Sequence, residues 1–403
     1  MTPRAARSRV SSLEHRYLNG TFAELCRIES PSGRERACAE RVIAELRGLG
    51  IDTQEDDSAA RAGSDCGNLL ARIPAHGRNG TAHEGVQEPA SAPRVLLCAH
   101  LDTVPLLASV EPVLVDGYWE NANEGVLGAD NKAALAVMLA LARHVSSEGA
   151  PVDVEFLFTV CEETALAGSR AFDAGSLTSD FGYVFDHASP IGEIVMDSPT
   201  HFRIEADFRG AAAHAGIRPE QGRSAILAAA RAIAAMRVGR LDERTTVNVG
   251  TIAGGSAMNV VPERCSVVAE VRSLDEASAE STVAAVVDRM HEAANLPECE
   301  CDVDIAVQRT FSGFHLTGGR AAVRVAETAL RACGHEPVPI VSGGASDANA
   351  LLVDGVEVVN LANGTERNHE PGERVSVAAL EEMLDVALAL LDAAAASAPD
   401  SAR

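Results

Sequence analysis

Between residues 200 and 310 the chain lays down strand, helix, strand, strand, helix, strand, and this order constrains the fold more than any single motif. Residues 201–208, 245–252, 264–273 and 301–309 read as strands, while 224–237 and 276–294 repeat apolar residues at helical spacing. The order is the ferredoxin-like one, which encloses a small core of its own. Its flanks are written in another style. Ahead of it, 68–73, 94–99 and 152–160 are short strands rich in Val and Leu, with a strong helix at 133–144; behind it come helix 319–333, strands 338–341 and 356–360, and helix 377–394. From 12 to 49 the apolar spacing is helical. At 403 residues the chain exceeds what one core usually serves. The prediction is an α/β protein in which a mixed sheet sandwiched by helices (1–199 and 311–403) is interrupted by an inserted α+β domain (200–310). Residues 74–93 carry Gly, Pro, His, Asn and Ala without a period and read as an exposed insertion.

A formal charge of −24, with no block of Lys and Arg anywhere, repels phosphate backbones and anionic lipid surfaces, so neither nucleic acid nor membrane is an expected partner. The longest apolar run, 133–142, is too short to span a bilayer, and the arginines of residues 1–9 have no apolar stretch behind them. No signal peptide or anchor is expected. Nine scattered cysteines, an odd number, argue for a reducing cytoplasm.

The chemistry starts at the apolar run from Val95, which closes on His100 and Asp102. Residues two apart on a strand share a face, which suits His100 as a metal ligand and Asp102 as the carboxylate that orients its imidazole. Asp130 stands at a helix start. The neighbours Glu162 and Glu163 follow a strand and point different ways, so one can hold a metal while the other moves protons. Asp186 follows an apolar strand, and His369 lies in the loop 363–371. Cys98 and Cys161 read as small core residues. The glycine pairs at 254–255 and 343–344 match neither a phosphate-binding loop nor a dinucleotide fingerprint, and no G-x-S-x-G elbow exists.

Four motifs in order, A-H-L-D-T-V-P at 99–105, G-A-D-N-K-A at 128–133, E-E-T-A-L-A-G-S at 162–169 and G-G-A-S-D-A-N at 343–349, resemble the M20 metallopeptidases, within them the peptidase T-like tripeptidase branch. The resemblance runs from about residue 23 to 391. It implies that His100, Asp130 and Asp186 hold one divalent metal and that Asp130, Glu163 and His369 hold a second, with Asp130 bridging. Glu162 becomes the general base and Asp102 the support of His100. Nitrogen and oxygen ligands without thiolate suit zinc, with cobalt or manganese as alternatives. A hydroxide bridging the metals would attack the amide carbonyl of a short peptide. The resemblance also implies a cis peptide between Asp130 and Asn131, where Asn131 replaces the more usual second Asp.

In the inserted domain, R-G-A-A-A-H-A-G at 209–216 resembles the family's lid motif, and the family's dimer carries His214 into the partner's active site. Asn259 and Arg272 match lid positions that bind the substrate backbone or carboxylate, while Gly343, Gly344 and Asp347 would line the pocket. The expected protein is a cytoplasmic, homodimeric exopeptidase acting on short peptides. Two rivals are an N-acyl-amino-acid deacylase or carboxypeptidase using the same site, and a metal-binding protein without catalysis.

Overall fold

A computed structural model describes residues 8–75 and 93–397. Most of the segment expected to be an exposed insertion, residues 76–92, lies outside them. The chain forms two compact units, one running to Met196 and resuming at His315–Ser342 and from Ser346, the other formed by Asp197–Phe314 with Gly343–Ala345.

The first unit is built on a mixed sheet whose strands lie in the order Thr53–Glu55, Leu69–Ile73, Val154–Thr159, Val95–His100, Phe181–His187, Val358–Ala362, Glu193–Ser198. The middle four run parallel to one another. Every residue of Val95–His100 and Val154–Thr159 is buried, as parallel strands covered on both faces require. One covering helix, Ala129–Glu148, is buried without interruption from Ala129 to Ala142, and its run of Ala and Leu is that of a helix enclosed on all sides. Because the four strands are parallel, their carboxyl ends lie at one edge. Consecutive connections from Val95–His100 lead to neighbours on opposite sides of it, and crevices for ligands form outside strand ends at such a switch.

The second unit is an antiparallel sheet in the order Gly239–Arg240, Thr245–Gly254, Arg264–Ser273, Thr200–Arg209, Asp302–Phe311. Burial alternates along Thr200–Arg209. Its inward residues, Phe202, Ile204, Ala206 and Phe208, share a core with the alanines of helix Ala225–Ala235 and with Val283, Val286 and Met290 of helix Glu276–Ala294. Each large apolar side chain so buried contributes about 1.5–3 kcal/mol. This is the ferredoxin-like arrangement expected from the strand and helix order.

Two features depart from the sequence reading. The helical run of 12–49 is two helices, Ser12–Cys26 and Arg36–Gly48. Pro31 cannot donate a helical hydrogen bond and Gly33 adopts φ +91°, so the chain breaks there and bonds to Thr103 instead, Thr103 N–H to Ser30 O at 2.9 Å and Ser32 N–H to Thr103 O at 3.1 Å. A second, four-stranded sheet was not expected: Thr365–Glu366, Arg374–Ser376, Tyr118–Asn121 and Pro112–Val115. Its strands are two to four residues long, too short to show a period.

Candidate metal centre

The carboxyl ends of the parallel strands deliver the polar residues of the first unit to one place. His100 ends its strand, Asp186 lies near the end of Phe181–His187, Glu162 and Glu163 follow Val154–Thr159, and His369 sits in the turn between the paired strands Thr365–Glu366 and Arg374–Ser376. Asp130 enters at the start of helix Ala129–Glu148, and its peptide bond to Asn131 is cis.

The distances define two groups that meet at Asp130. His100 Nε2 lies 3.1 Å from Asp130 Oδ1 and 3.5 Å from Asp186 Oδ1. On the other side, His369 Nε2 lies 2.8 Å from Glu163 Oε1 and 3.3 Å from Asp130 Oδ2. A tetrahedral ion with bonds of ~2.0–2.1 Å separates its ligands by about 3.3 Å, so both spacings fit a transition-metal ion. A third grouping, His100 with Glu162 and Glu163, overlaps these two.

Around these groups the fit is tuned by hydrogen bonds. His100 Nδ1 lies 3.0 Å from the Asp102 carbonyl, which can only accept, so Nδ1 carries a proton and Nε2 is the nitrogen turned to the carboxylates of Asp130 and Asp186. The expected support from the Asp102 carboxylate is the longer contact, 3.4 Å. That carboxylate also accepts from the backbone N–H of Glu162 at 3.0 Å and of Glu163 at 3.1 Å, and from Ser32 Oγ at 2.7 Å. Asp102 thus clamps the two glutamates in place. Glu35 does the same one residue earlier, accepting from Cys161 N–H at 3.1 Å. Asn131 donates to Phe185 O at 2.9 Å and to Asp186 Oδ1 at 3.4 Å, bonds that an aspartate could not make while ionised.

Charge is crowded here. Burial, then the Asp130 charge, pushes the Asp186 carboxyl well above its usual range, and burial with Asp186 beside it does the same to Glu162. Burial lowers His100, but the Asp186 charge and the hydrogen bonds the ring donates to its carboxylate neighbours outweigh it and hold the ring well above 6.5. His369 is pushed up to about 10 by its hydrogen bonds to Asp130 and Glu163. Buried carboxylates repelling one another in this way favour bound cations.

Sequence reasoning overlooked several partners. Glu373 is 1% exposed and accepts from the N–H groups of Leu127, Gly128 and Asp130 at 2.8–2.9 Å. Asn368 donates to Asp130 Oδ2 at 2.9 Å, and Asn360 brackets Asp186 through its main chain. The buried Lys132 ammonium donates to Ser30 Oγ and, at 3.1 Å, to Leu101 O. Apart from Lys132, which stands in the motif at 128–133, none of these stands in a pattern that sets it apart from surface polar residues.

Asp347 lies near enough to the centre for its charge to act on Glu162 and Asp186, and the other expected residues belong to the second unit. Asp347, fully buried at the start of helix Asp347–Val353, turns its carboxylate to Thr159 Oγ1 at 2.5 Å. His214 and Asn259 are exposed on adjoining loops of the second unit, joined by Ala215 N–H to Asn259 O at 2.9 Å. Arg272 Nη1 donates to Gly343 O at 3.0 Å, and Gly344 O accepts from Ser198 Oγ at 2.9 Å.

Comparison with known proteins agrees with this architecture. Aminopeptidase PepT from Bacillus cereus is 33% identical and superimposes with a TM-score of 0.82, over 94% of this chain and 99% of that one. A tripeptidase from Staphylococcus aureus is 30% identical with a TM-score of 0.86, over 95% and 99%. The chain belongs to the M20 metallopeptidase family. Residues 200–296 of this M20 peptidase match the family model of a peptidase dimerisation domain, and residues 83–196 match the model of peptidase family M28. The dimerisation-domain model is the one of the M20 peptidases, and it falls on the inserted unit. Bacillus subtilis YqjE, itself uncharacterized, is 32% identical over 93% of this chain and 97% of its own. A probable carboxypeptidase of Paracoccidioides brasiliensis is 30% identical over 62% of this M20 chain and 58% of its own. Among the described residues, no helix of the chain is long and apolar enough to cross a membrane.

Proposed function

We propose that this M20 peptidase removes the N-terminal residue from short peptides, tripeptides above all, in the cytoplasm. His100, Asp130 and Asp186 would hold one divalent cation and Asp130, Glu163 and His369 the other, with zinc the best match to the donors and cobalt or manganese as alternatives. When bound, the two ions offset the facing carboxylates, polarise the scissile carbonyl and acidify water. The carrying observation is the division of labour among the glutamates. Glu163 is tied to His369, whereas the carboxylate of the buried Glu162 has no hydrogen-bond partner among the described residues. It is held by its backbone alone, through Asp102, and is free to take a proton and return it to the leaving amine.

Arg272 and Asn259 supply donors for the far end of the peptide, its carboxylate or backbone. The similarity to an aminopeptidase and a tripeptidase supports release from the N-terminus. The match to a dimerisation domain supports a homodimer, with His214 completing the partner's site as an oxyanion donor. Nine free cysteines suit a reducing compartment.

The test incubates zinc-loaded protein with di-, tri- and tetrapeptides, N-blocked peptides and N-acyl amino acids, with products identified by mass and metal counted by elemental analysis. Two ions per chain and release of the first residue of tripeptides are expected. Glu162→Gln should keep both ions and lower kcat by about 10²–10⁴. Release of the last residue from N-blocked peptides would make the protein a carboxypeptidase, hydrolysis confined to N-acyl amino acids a deacylase, and two ions without turnover a metal-binding protein.

A further inference from the structure

On the open face of the second unit's sheet, away from its helices, four residues form a row of a kind that strand pairing alone does not require. His201 is the direct cross-strand partner of Arg272 on one side and of Phe311 on the other. Glu270 precedes Arg272 by two residues and so shares its face. The inward neighbours Phe202 and Val271 pack in the core, which turns all four toward the open side. His201 nevertheless keeps only 11% of its side chain exposed, stacked on Phe311 with ring centroids 5.0 Å apart.

The contacts use a particular part of the arginine. Glu270 Oε1 takes Nε at 3.3 Å and Oε2 takes Nη2 at 3.2 Å, so the carboxylate covers the side edge of the guanidinium. Nη1 gives one hydrogen to the carbonyl of Gly343, a residue of the same unit, at 3.0 Å. The planar group has five N–H donors, of which these contacts use three, and the remaining two, one on Nη1 and one on Nη2, are available to a second carboxylate. His201 Nε2, 3.1 Å from Glu270 Oε2, fixes the carboxylate in turn. His201 Nδ1 is buried without a hydrogen-bond partner. The hydrogen bond from His201, with Arg272 adding to it against burial, holds Glu270 down to about 2, so it stays ionised.

We infer that Glu270 and His201 are positioning residues that hold Arg272 with its end edge presented to the carboxylate of the peptide substrate, and so set the preference for peptides with a free C-terminus. The inference rests on the reading of Arg272 as the group that meets that carboxylate. Lost order at Glu270 would leave a mobile guanidinium on a sheet face, and the binding geometry would have to be rebuilt with each substrate.

The experiment compares one tripeptide with its C-terminal amide on five variants of the metal-loaded enzyme. Arg272→Ala should lower kcat/KM for the free acid about 100-fold and for the amide less than about 5-fold. Glu270→Gln should raise KM for the acid about 10-fold and leave the amide within about 2-fold, with kcat nearly unchanged. His201→Gln, which keeps an N–H donor, should stay nearer wild type than His201→Ala. In Arg272→Ala/Glu270→Gln the second change should add nothing, since a residue acting through Arg272 has no effect without it. Retained amide hydrolysis shows that each variant is folded. Equal losses on acid and amide in Arg272→Ala would overturn the reading of that residue, and the inference with it. A normal acid preference in Glu270→Gln, or full additivity in the double variant, would overturn the inference alone.

Discussion

Glu373 shows how much of this centre depends on a residue that binds nothing itself. Its two oxygens accept three backbone N–H groups, Asp130 on Oε1, Leu127 and Gly128 on Oε2, and thereby fix the segment that carries the shared carboxylate. Burial pushes its carboxyl up to about 7 while those same bonds draw it back. Glutamine has one acceptor oxygen, so in Glu373→Gln an amide NH₂ must face at least one of the three donors. Metal affinity should fall about 10–100-fold, as for other groups that orient ligands, with far-UV circular dichroism unchanged. Competition against a chelator measures it, and undiminished retention of both ions would show that Glu373 serves only the local fold.

At the scale of elements, the short helix Ala167–Ala171 is seated directly against the strand end that leads to the glutamates. A β-carbon on Gly168 would lie 1.9 Å from Val160 O and 2.8 Å from Asn68 Oδ1, closer than any side chain tolerates. The same glycine offers its carbonyl to Asn68 Nδ2 at 3.0 Å, so the contact is on both its faces. Gly168→Ala should destabilise the protein by about 1–3 kcal/mol through overpacking. Because Val160 is followed at once by Cys161, Glu162 and Glu163, kcat should fall as well. Urea unfolding and steady-state assays check the two effects, and a stable variant with normal kcat would mean that the helix moves away without cost.

For the whole molecule, the proposed dimer makes a prediction that a monomer cannot meet. His214 is exposed, its Nδ1 taken by Gly216 N–H at 3.2 Å, which leaves Nε2 as the ring atom free to act. If His214 serves the partner's centre, inactive His214→Ala mixed with inactive Glu162→Gln should regain activity on subunit exchange. The heterodimer holds one site with both defects and one with neither, so about half of the wild-type rate per heterodimer is expected if the sites are independent. Demonstrated exchange without recovered activity would confine His214 to its own chain or deprive it of a role.

Periodicity and spacing carried most of the architecture. The strand 264–273 and the helix 276–294 were legible to the residue because each shows its own repeat over several positions, and the apolar run before His100 announced a buried strand that ends in polar groups. The resemblance, carried by contiguous motifs, picked out His100, Asp130, Glu162, Glu163, Asp186 and His369 before any distance was known. What the sequence could not hold is which backbone groups those side chains serve. Asp102, expected behind His100 and 3.4 Å from its ring, also clamps Glu162 and Glu163; Ser32 and Glu35 reach the same loop only because Pro31 and Gly33 break a helix; Glu373 meets Asp130 across 243 positions. Hydrogen bonds between residues far apart along the chain leave no period and no local propensity, so only the folded chain decides them.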